Sequence, residues 1–266
     1  NNLLEGELKI DGTNYQYIGS DLNLKVLENE PNNIQEANLN SSILFYEDGI
    51  ELIVDKNKNV IEINQTIPGS KAYFINGNLN DIKIVFNGFN IFQNKNDLVS
   101  FPKNFPINNK GLTGCLSFIN LNLKKIDIEL KNSTCEDGVN FINVSGEVDS
   151  IFIDESFSDG LDVDFSELNF KNIQISSARN DCADFSYGNY SIENINVKYC
   201  GDKGVSVGEA SNVIIQNLKA YNSNIGVASK DSSNVNLKRA DFFEVENCIS
   251  IYNKKNEFNS ASLKMP

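Results

Sequence analysis

Six small residues recur at one interval: Gly138, Gly160, Cys182, Gly204, Gly226 and Cys248 follow each other every 22 residues. Behind each comes an alternating segment: Val139-Asn140-Phe141, Leu161-Asp162-Val163, Ala183-Asp184-Phe185, Val205-Ser206-Val207, Val227-Ala228-Ser229 and Ile249-Ser250-Ile251. Apolar, polar, then mostly apolar is the period of a short strand with one buried face. A second alternation follows in most units, as in Ile151/Ile153, Ile173/Ile175, Ile195/Val197 and Val213/Ile215. A unit of this length without a helical stretch is too short for a propeller blade, and it lacks the fixed leucines of a leucine-rich repeat. The remaining solution is a coil of strands that stacks on its own copies. The chain is therefore expected to be all-β, a right-handed parallel β-helix (a solenoid) of about eight coils.

The pattern reaches upstream through Phe74, Phe118 and Phe141, each followed by Ile-Asn. The gap between Phe74 and Phe118 spans two periods, which fits one coil carrying a protruding loop near 86–113. Pro102 and Pro106 lie inside that loop, and no proline follows until Pro266, as a continuous ladder requires. The solenoid is placed at 71–266. Residues 1–70 are less regular and are read as an N-terminal cap, with a hairpin over Ile50–Val54 and Val60–Ile63 and a short helix over Pro31–Asn40. Val139, Phe141, Leu161, Val163, Phe185, Val205, Val207, Val227, Ile249 and Ile251 are expected to point inward.

Charge and composition narrow the function. Lys and Arg number 23 against 36 Asp and Glu, a net charge of −13, which argues against nucleic acid as a partner. Histidine is absent, which removes imidazole catalysis and histidine metal ligands; tryptophan is absent too, and with it the largest stacking platform for sugars. No run approaches the ~20 apolar residues of a membrane span. The first residues, Asn1 to Glu5, lack the basic and apolar stretches of a signal peptide. Asparagine is dispersed along the chain rather than clustered, which points to the repeat and not to a prion-like tract. The Asn-x-Ser/Thr triplets at Asn40, Asn64, Asn132, Asn143 and Asn189 are no more than that abundance produces.

The coils at 201–209 and 224–231 resemble the parallel β-helix modules of bacterial extracellular and surface proteins, within the broad pectate-lyase-like superfamily. The likeness covers roughly residues 110–258. It implies an extracellular or cell-surface location and a polysaccharide or surface glycan as partner, with a protein partner as another possibility. The chain departs from the catalytic members, whose Gly-His-Gly or Asp-Pro-His segments need histidine.

Stacking places equivalent positions about 4.8 Å apart along the axis. Asn140, Asp162, Asp184 and Ser206 then share one outward column; Ile142, Asp164, Ser186, Gly208 and Lys230 share the next. Asp137, Asp159, Asp181 and Lys203 sit just ahead of the strand. Like charges facing each other across a sheet repel unless a cation, a shared proton or a basic group compensates. Calcium is the cofactor this column would suit, with Asp159, Asp162, Asp164, Asp181 and Asp184 as ligands. Arg179, Lys203 and Lys230 stand ready as basic partners. The plain alternative is a solvated acidic face that keeps the solenoid soluble. If the face is catalytic, Asp162 and Asp184 form the acid–base pair of a glycoside hydrolase. A polysaccharide lyase would instead use Lys203, Lys230 or Arg179 as base or charge neutraliser. The expected function is a surface module whose acidic face binds glycan, cation or partner without catalysis; a lyase or hydrolase is the alternative.

Cys115, Cys182 and Cys248 occupy the column otherwise held by glycine, and Cys135 and Cys200 precede the next column position. Buried thiols are the favoured reading; two bridges, Cys115/Cys135 and Cys182/Cys200, with Cys248 left over, are the other. Tyr187, Tyr190, Tyr199 and Tyr221 are candidate sugar platforms, but the spacing of Tyr199, Tyr221 and Phe243 favours a stacked ladder.

Overall fold

In the structure, a computed structural model, residues 5–10, 13–18, 34–39, 41–89 and 111–266 are described. Among them there is no helix. The chain forms a parallel β-solenoid of about 8 turns with coils of about 22 residues. Leu161 pairs with Val139 on one side and Ala183 on the other; Val205 pairs with Ala183 and Val227. The second face runs through Ser145–Ser156, Glu167–Ala178 and Asn189–Gly208 in parallel register. Before the coils the pairing is mixed: Ile50–Asp55 folds antiparallel on Val60–Gln65 as the expected hairpin, Ser42–Glu47 pairs antiparallel with both Ile34–Leu39 and Ala72–Asn87, and Val60–Gln65 runs parallel to Ala72–Asn87. Ile34–Leu39 is a strand, which corrects the helix expected over Pro31–Asn40. Most of the expected loop, 90–110, lies outside the described residues.

Two corners of most described coils are set by left-handed backbone. Asn76, Asn120, Asn143, Phe165, Tyr187, Glu209 and Asp231 follow the first strand, all with φ between 50° and 58°. Asn132, Glu155, Ser177, Tyr199, Asn222 and Glu244 turn the chain again before the next coil, all at positive φ. Asparagine tolerates this region better than most side chains, which accounts for part of its abundance. Ladders account for more of it. The Asn194 Nδ2 donates to Asn172 Oδ1 at 3.2 Å and Asn217 Nδ2 to Asn194 Oδ1 at 3.0 Å; Asn189, Asn212 and Asn234 repeat the motif at 3.1 Å.

The interior is a column of like residues. Phe74, Phe118 and Phe141 stack with centroids 5.3 and 4.8 Å apart. Val163 is too small to continue the stack, so Phe170 enters from the second face and meets Phe141 and Phe185 edge-on at 6.2 and 6.1 Å. Eight of the ten expected inward residues are fully buried. Ile249 and Ile251 are not, at 36% and 51% exposure. Their strand, Ala240–Tyr252, is hydrogen-bonded to a coil on one side only, so the apolar positions of this last layer lack a cover.

The cysteines also depart from expectation: Cys115–Cys135 and Cys182–Cys200 are disulfides, and Cys248 is free and exposed. Their separations of 20 and 18 residues fall just short of a full coil, and this brings the Cα atoms within 5.3 and 5.4 Å. Where glycine holds the column, no side chain fits: a Cβ on Gly138 or Gly160 would lie 2.7 or 2.6 Å from the carbonyl of the next coil. The tyrosine ladder is shorter than expected. Tyr221 stacks on Phe243 at 4.7 Å, but Tyr221 pairs with Lys198 and not with Tyr199, because this coil carries one extra residue.

Phe141→Ala should cost about 3–5 kcal/mol in denaturant unfolding, since its neighbours in the stack are held by their own coils and cannot close the void. Ile249→Ala, in the uncovered layer, should cost about 1 kcal/mol or less. Reducing both disulfides should cost about 2–4 kcal/mol for each bridge.

Candidate functional site

The first strand of each coil builds the outward face expected from the register. Asn140, Asp162, Asp184 and Ser206 are paired neighbours in one column, with Ile142, Asp164, Ser186 and Gly208 in the next. The face changes character along the axis. At its start Tyr73, Leu112 and Ile119 form an apolar patch with Phe45, Ile75 and Ile142 against it. The carboxylates occupy the middle, and Ser206, Gly208, Ala228 and Lys230 follow.

This face is less exposed than a solvated acidic surface would be, with Asp159, Asp162, Asp164 and Asp184 half-buried. Asp137, Asp181, Asn140, Ser206, Lys203 and Lys230 are all buried. Burial pushes the Asp137 carboxyl up to about 8, against a hydrogen bond with Thr113 and with help from Asp159 and Glu136. Burial, and then the charge on Asp184, raises Asp164 to about 6. Asp162 is raised well above the ordinary carboxylate value by burial and by Asp137, Asp164 and Asp184 around it. Asn140 Nδ2 donates to Asp162 Oδ2 at 3.1 Å.

Protein cations compensate part of the charge. Lys203 sits 3.2 Å from Asp181 and also contacts Asp202; burial alone would lower its pKa, but these carboxylates hold it above the ordinary lysine value. Lys230 reaches back across two coils to Asp184 at 3.4 Å. Its stem lies over Gly208, where a Cβ would be 2.7 Å from Lys230 Cε. Only glycine leaves room for that path. Burial opposes the charge on Lys230, yet Asp184 and Glu209 keep its pKa raised. Arg179, expected beside these residues, lies elsewhere: its guanidinium stands 5.2 Å over the Phe157 ring.

The carboxylates considered as calcium ligands are dispersed among other partners. Asp159 accepts from Asn180 and from the Asp181 amide at 2.6 and 2.9 Å, while Asp181 and Asp184 hold lysines. Among the described residues no three acidic or thiol groups gather around a metal-sized position.

Three polar atoms in the first column have no protein partner although they are buried: Asn140 Oδ1, Asp184 Oδ1 and Ser206 Oγ. A buried acceptor left unpaired costs about 1–3 kcal/mol, so these atoms, closed off from solvent, are a local cost of the column. At the adjoining left-handed corner Phe165 and Tyr187 project outward and stack at 4.7 Å, with Phe258 6.1 Å from Tyr187. Both remain about half exposed, at 51% and 43%. The segment bearing Phe258 is tied down by Lys255, which pairs with Glu209 at 2.7 Å, and by the Lys254 and Lys255 amides on Asp231. Of the tyrosines singled out in the sequence, Tyr187 flanks this face. Tyr190 is buried and donates to Ser186 O at 2.7 Å, so it is unavailable to a sugar. Phe165, Lys255 and Phe258 were not signalled by the column pattern, because a corner and a returning tail bring them to the site.

No protein-family model matches the chain, and it has no match among curated proteins or solved structures. The stacked parallel coils are thus all that stands of the expected resemblance, and no comparison supports the pectate-lyase-like superfamily.

The raised carboxyls make stability depend on pH in a stated direction. Between the ordinary value of 3.8 and about 8, the folded Asp137 keeps a proton that the unfolded chain has released. Stability thus falls as pH rises through this window. The melting temperature should decline from pH 5 to pH 8, and Asp137→Asn should flatten the upper part of that decline. A melting temperature that climbs over the same range would show the carboxyls to be ordinary.

Proposed function

We propose that the half-buried acidic face binds a neutral glycan. The observation that carries this reading is the exposed Phe165–Tyr187 stack, at the corner that follows the half-buried carboxyls of Asp162, Asp164 and Asp184. A sugar ring offers hydroxyl donors on its edge and an apolar C–H surface on its face, so one ligand meets both halves of the site. Its hydroxyls also accept, which suits the carboxyl of Asp162, pushed well above the ordinary carboxylate value. A neutral chain is favoured over a uronate because Lys203 and Lys230 are already held by carboxylates and the surroundings are acidic. Two disulfides support an extracellular or cell-surface location, since such bridges persist in oxidising compartments.

A hydrolase is the second reading. One observation favours it: Asp162, a carboxyl that holds its proton, is paired in the strand ladder with Asp184, which carries an ammonium partner. That is the acid-and-carboxylate division of labour of glycoside hydrolysis. A lyase fits less well, because a lysine base needs a lowered pKa and both Lys203 and Lys230 are shifted upward.

Titration with neutral and uronate oligosaccharides tests the proposal. Neutral ligands should bind, and Phe165→Ala and Tyr187→Ala should each weaken binding by about two- to tenfold, as loss of one ring contact implies. Binding confined to uronates, or indifferent to both substitutions, would sink it. Release of reducing ends that disappears in Asp162→Asn and Asp184→Asn would establish the hydrolase.

A further inference from the structure

The last described coil leaves one end of the solenoid open. The strand Ala240–Tyr252 pairs along one edge with Asn212–Lys230, and among the described residues no strand pairs with its other edge. An unpaired edge is a row of backbone donors and acceptors, a template for another strand. The inward positions of this coil are uncovered as well. Ile249 and Ile251 continue the column of Val227 and Ser229, which are fully buried, yet stand 36% and 51% exposed. Core surface and unpaired backbone thus face the same way, along the axis.

The segment best placed to cover this end turns away from it. After Tyr252 the chain runs back along the outside of the solenoid. The Lys254 and Lys255 amides donate to Asp231, the Lys255 ammonium pairs with Glu209 at 2.7 Å, and Phe258 lies 6.1 Å from Tyr187. Asp231, Glu209 and Tyr187 hold the left-handed corners of three successive coils, so the tail is tied ever further from the open end. It returns only to set Ser262–Lys264 on Asn234–Asn236, beside the open strand and not over it.

Charge indicates what fits there. A net charge of −13 makes two copies of the protein repel over most of their surface. Residues 238–266 instead carry five Lys and Arg against four Asp and Glu, so that repulsion is lifted at this end. The signs are ordered along the chain: Glu244 and Glu246 precede the isoleucines and Lys254 follows them, all exposed. A two-fold axis reverses the strand direction, so the acidic end of one copy meets the basic end of the other. With the axis at Ser250, Ile249 stands opposite Ile251 of the second copy, and Glu246 opposite Lys254. The offset is even, so inward residues meet inward residues and the two cores join.

We propose that this open end is the interface of a two-fold dimer of the chain, in which Ala240–Tyr252 pairs antiparallel with its own copy around Ser250. None of Asp162, Asp164, Asp184 or Phe165 takes part, so the dimer stands or falls independently of the glycan reading.

Sedimentation or light scattering of the intact protein across a concentration series tests it. A dimer should form, and Ile251→Lys should raise its dissociation constant by at least about tenfold, as loss of a central apolar contact implies. Ile251 is half exposed, so this variant should keep the melting temperature of the monomer. Lys254→Glu should weaken the dimer by about two- to fivefold, and adding Glu246→Lys should restore it. Register is read by cross-linking: in a Cys248→Ser background, diamide should couple two Ser250→Cys thiols far faster than it couples Cys248 in the wild type. A monomer at about 0.1 mM overturns the proposal. So does a dimer that Ile251→Lys leaves intact, or one in which Ser250→Cys cross-links no better than Cys248.

Discussion

A parallel ladder sets each residue against its counterpart one coil away, about 4.8 Å along the axis, so every side chain is selected first by what stacks on it. Phenylalanine and asparagine stack well on copies of themselves. Phe74, Phe118 and Phe141 form a continuous apolar column, and the amides of Asn172, Asn194 and Asn217 hand a hydrogen bond from coil to coil. Aspartate does not, and the same register that benefits the amides presses carboxylates together. Raised carboxyl pKa values and lysine partners around Asp137, Asp162, Asp164 and Asp184 are all responses to that one geometric fact.

The left-handed corners impose a second constraint. They fix where the chain turns, and at Phe165 and Tyr187 they leave the corner side chain exposed, although Glu209 and Asp231 at the same corner are buried. Asn76, Asn120 and Asn143 fill the first corner with a residue suited to it, but the next two positions hold Phe165 and Tyr187. The second corner shows the same exchange at Glu155 and Tyr199. In both cases an asparagine that the backbone would favour is replaced by a side chain with reach.

Much of this architecture was legible in the sequence because a period is a statement about register. The 22-residue spacing placed Asn140, Asp162, Asp184 and Ser206 in one column, and the strand pairing has them there. Features that depend on one exceptional residue were not legible. The extra residue in the coil before Asn212 moves Tyr221 out of line with Tyr199. Lys230 reaches Asp184 only because Gly208 leaves its path open, a contact two coils long that no single period announces. The disulfides escaped for a related reason: the glycine column explained Cys115 and Cys182 as small residues, while the bridge depends on how the coil closes at Cys135 and Cys200. Ile249 and Ile251 carry the inward pattern faithfully, yet a pattern does not say whether another layer covers it.

The choice between sugar and calcium at the acidic face follows from proton occupancy. A divalent cation needs carboxylates that are charged and free to turn toward it. Here burial pushes the carboxyls of Asp137 and Asp162 well above the ordinary carboxylate value, and lysines engage Asp181 and Asp184. Binding calcium would require taking the protons from those carboxyls and displacing an ammonium, so it would grow only toward alkaline pH. A hydroxylated ligand asks for neither change. In the proposed complex it would meet the half-buried carboxyls as they stand, with its C–H face on Phe165 and Tyr187. The arrangement that relieves carboxylate repulsion within the solenoid is thus the one that prepares the face for a neutral polar partner.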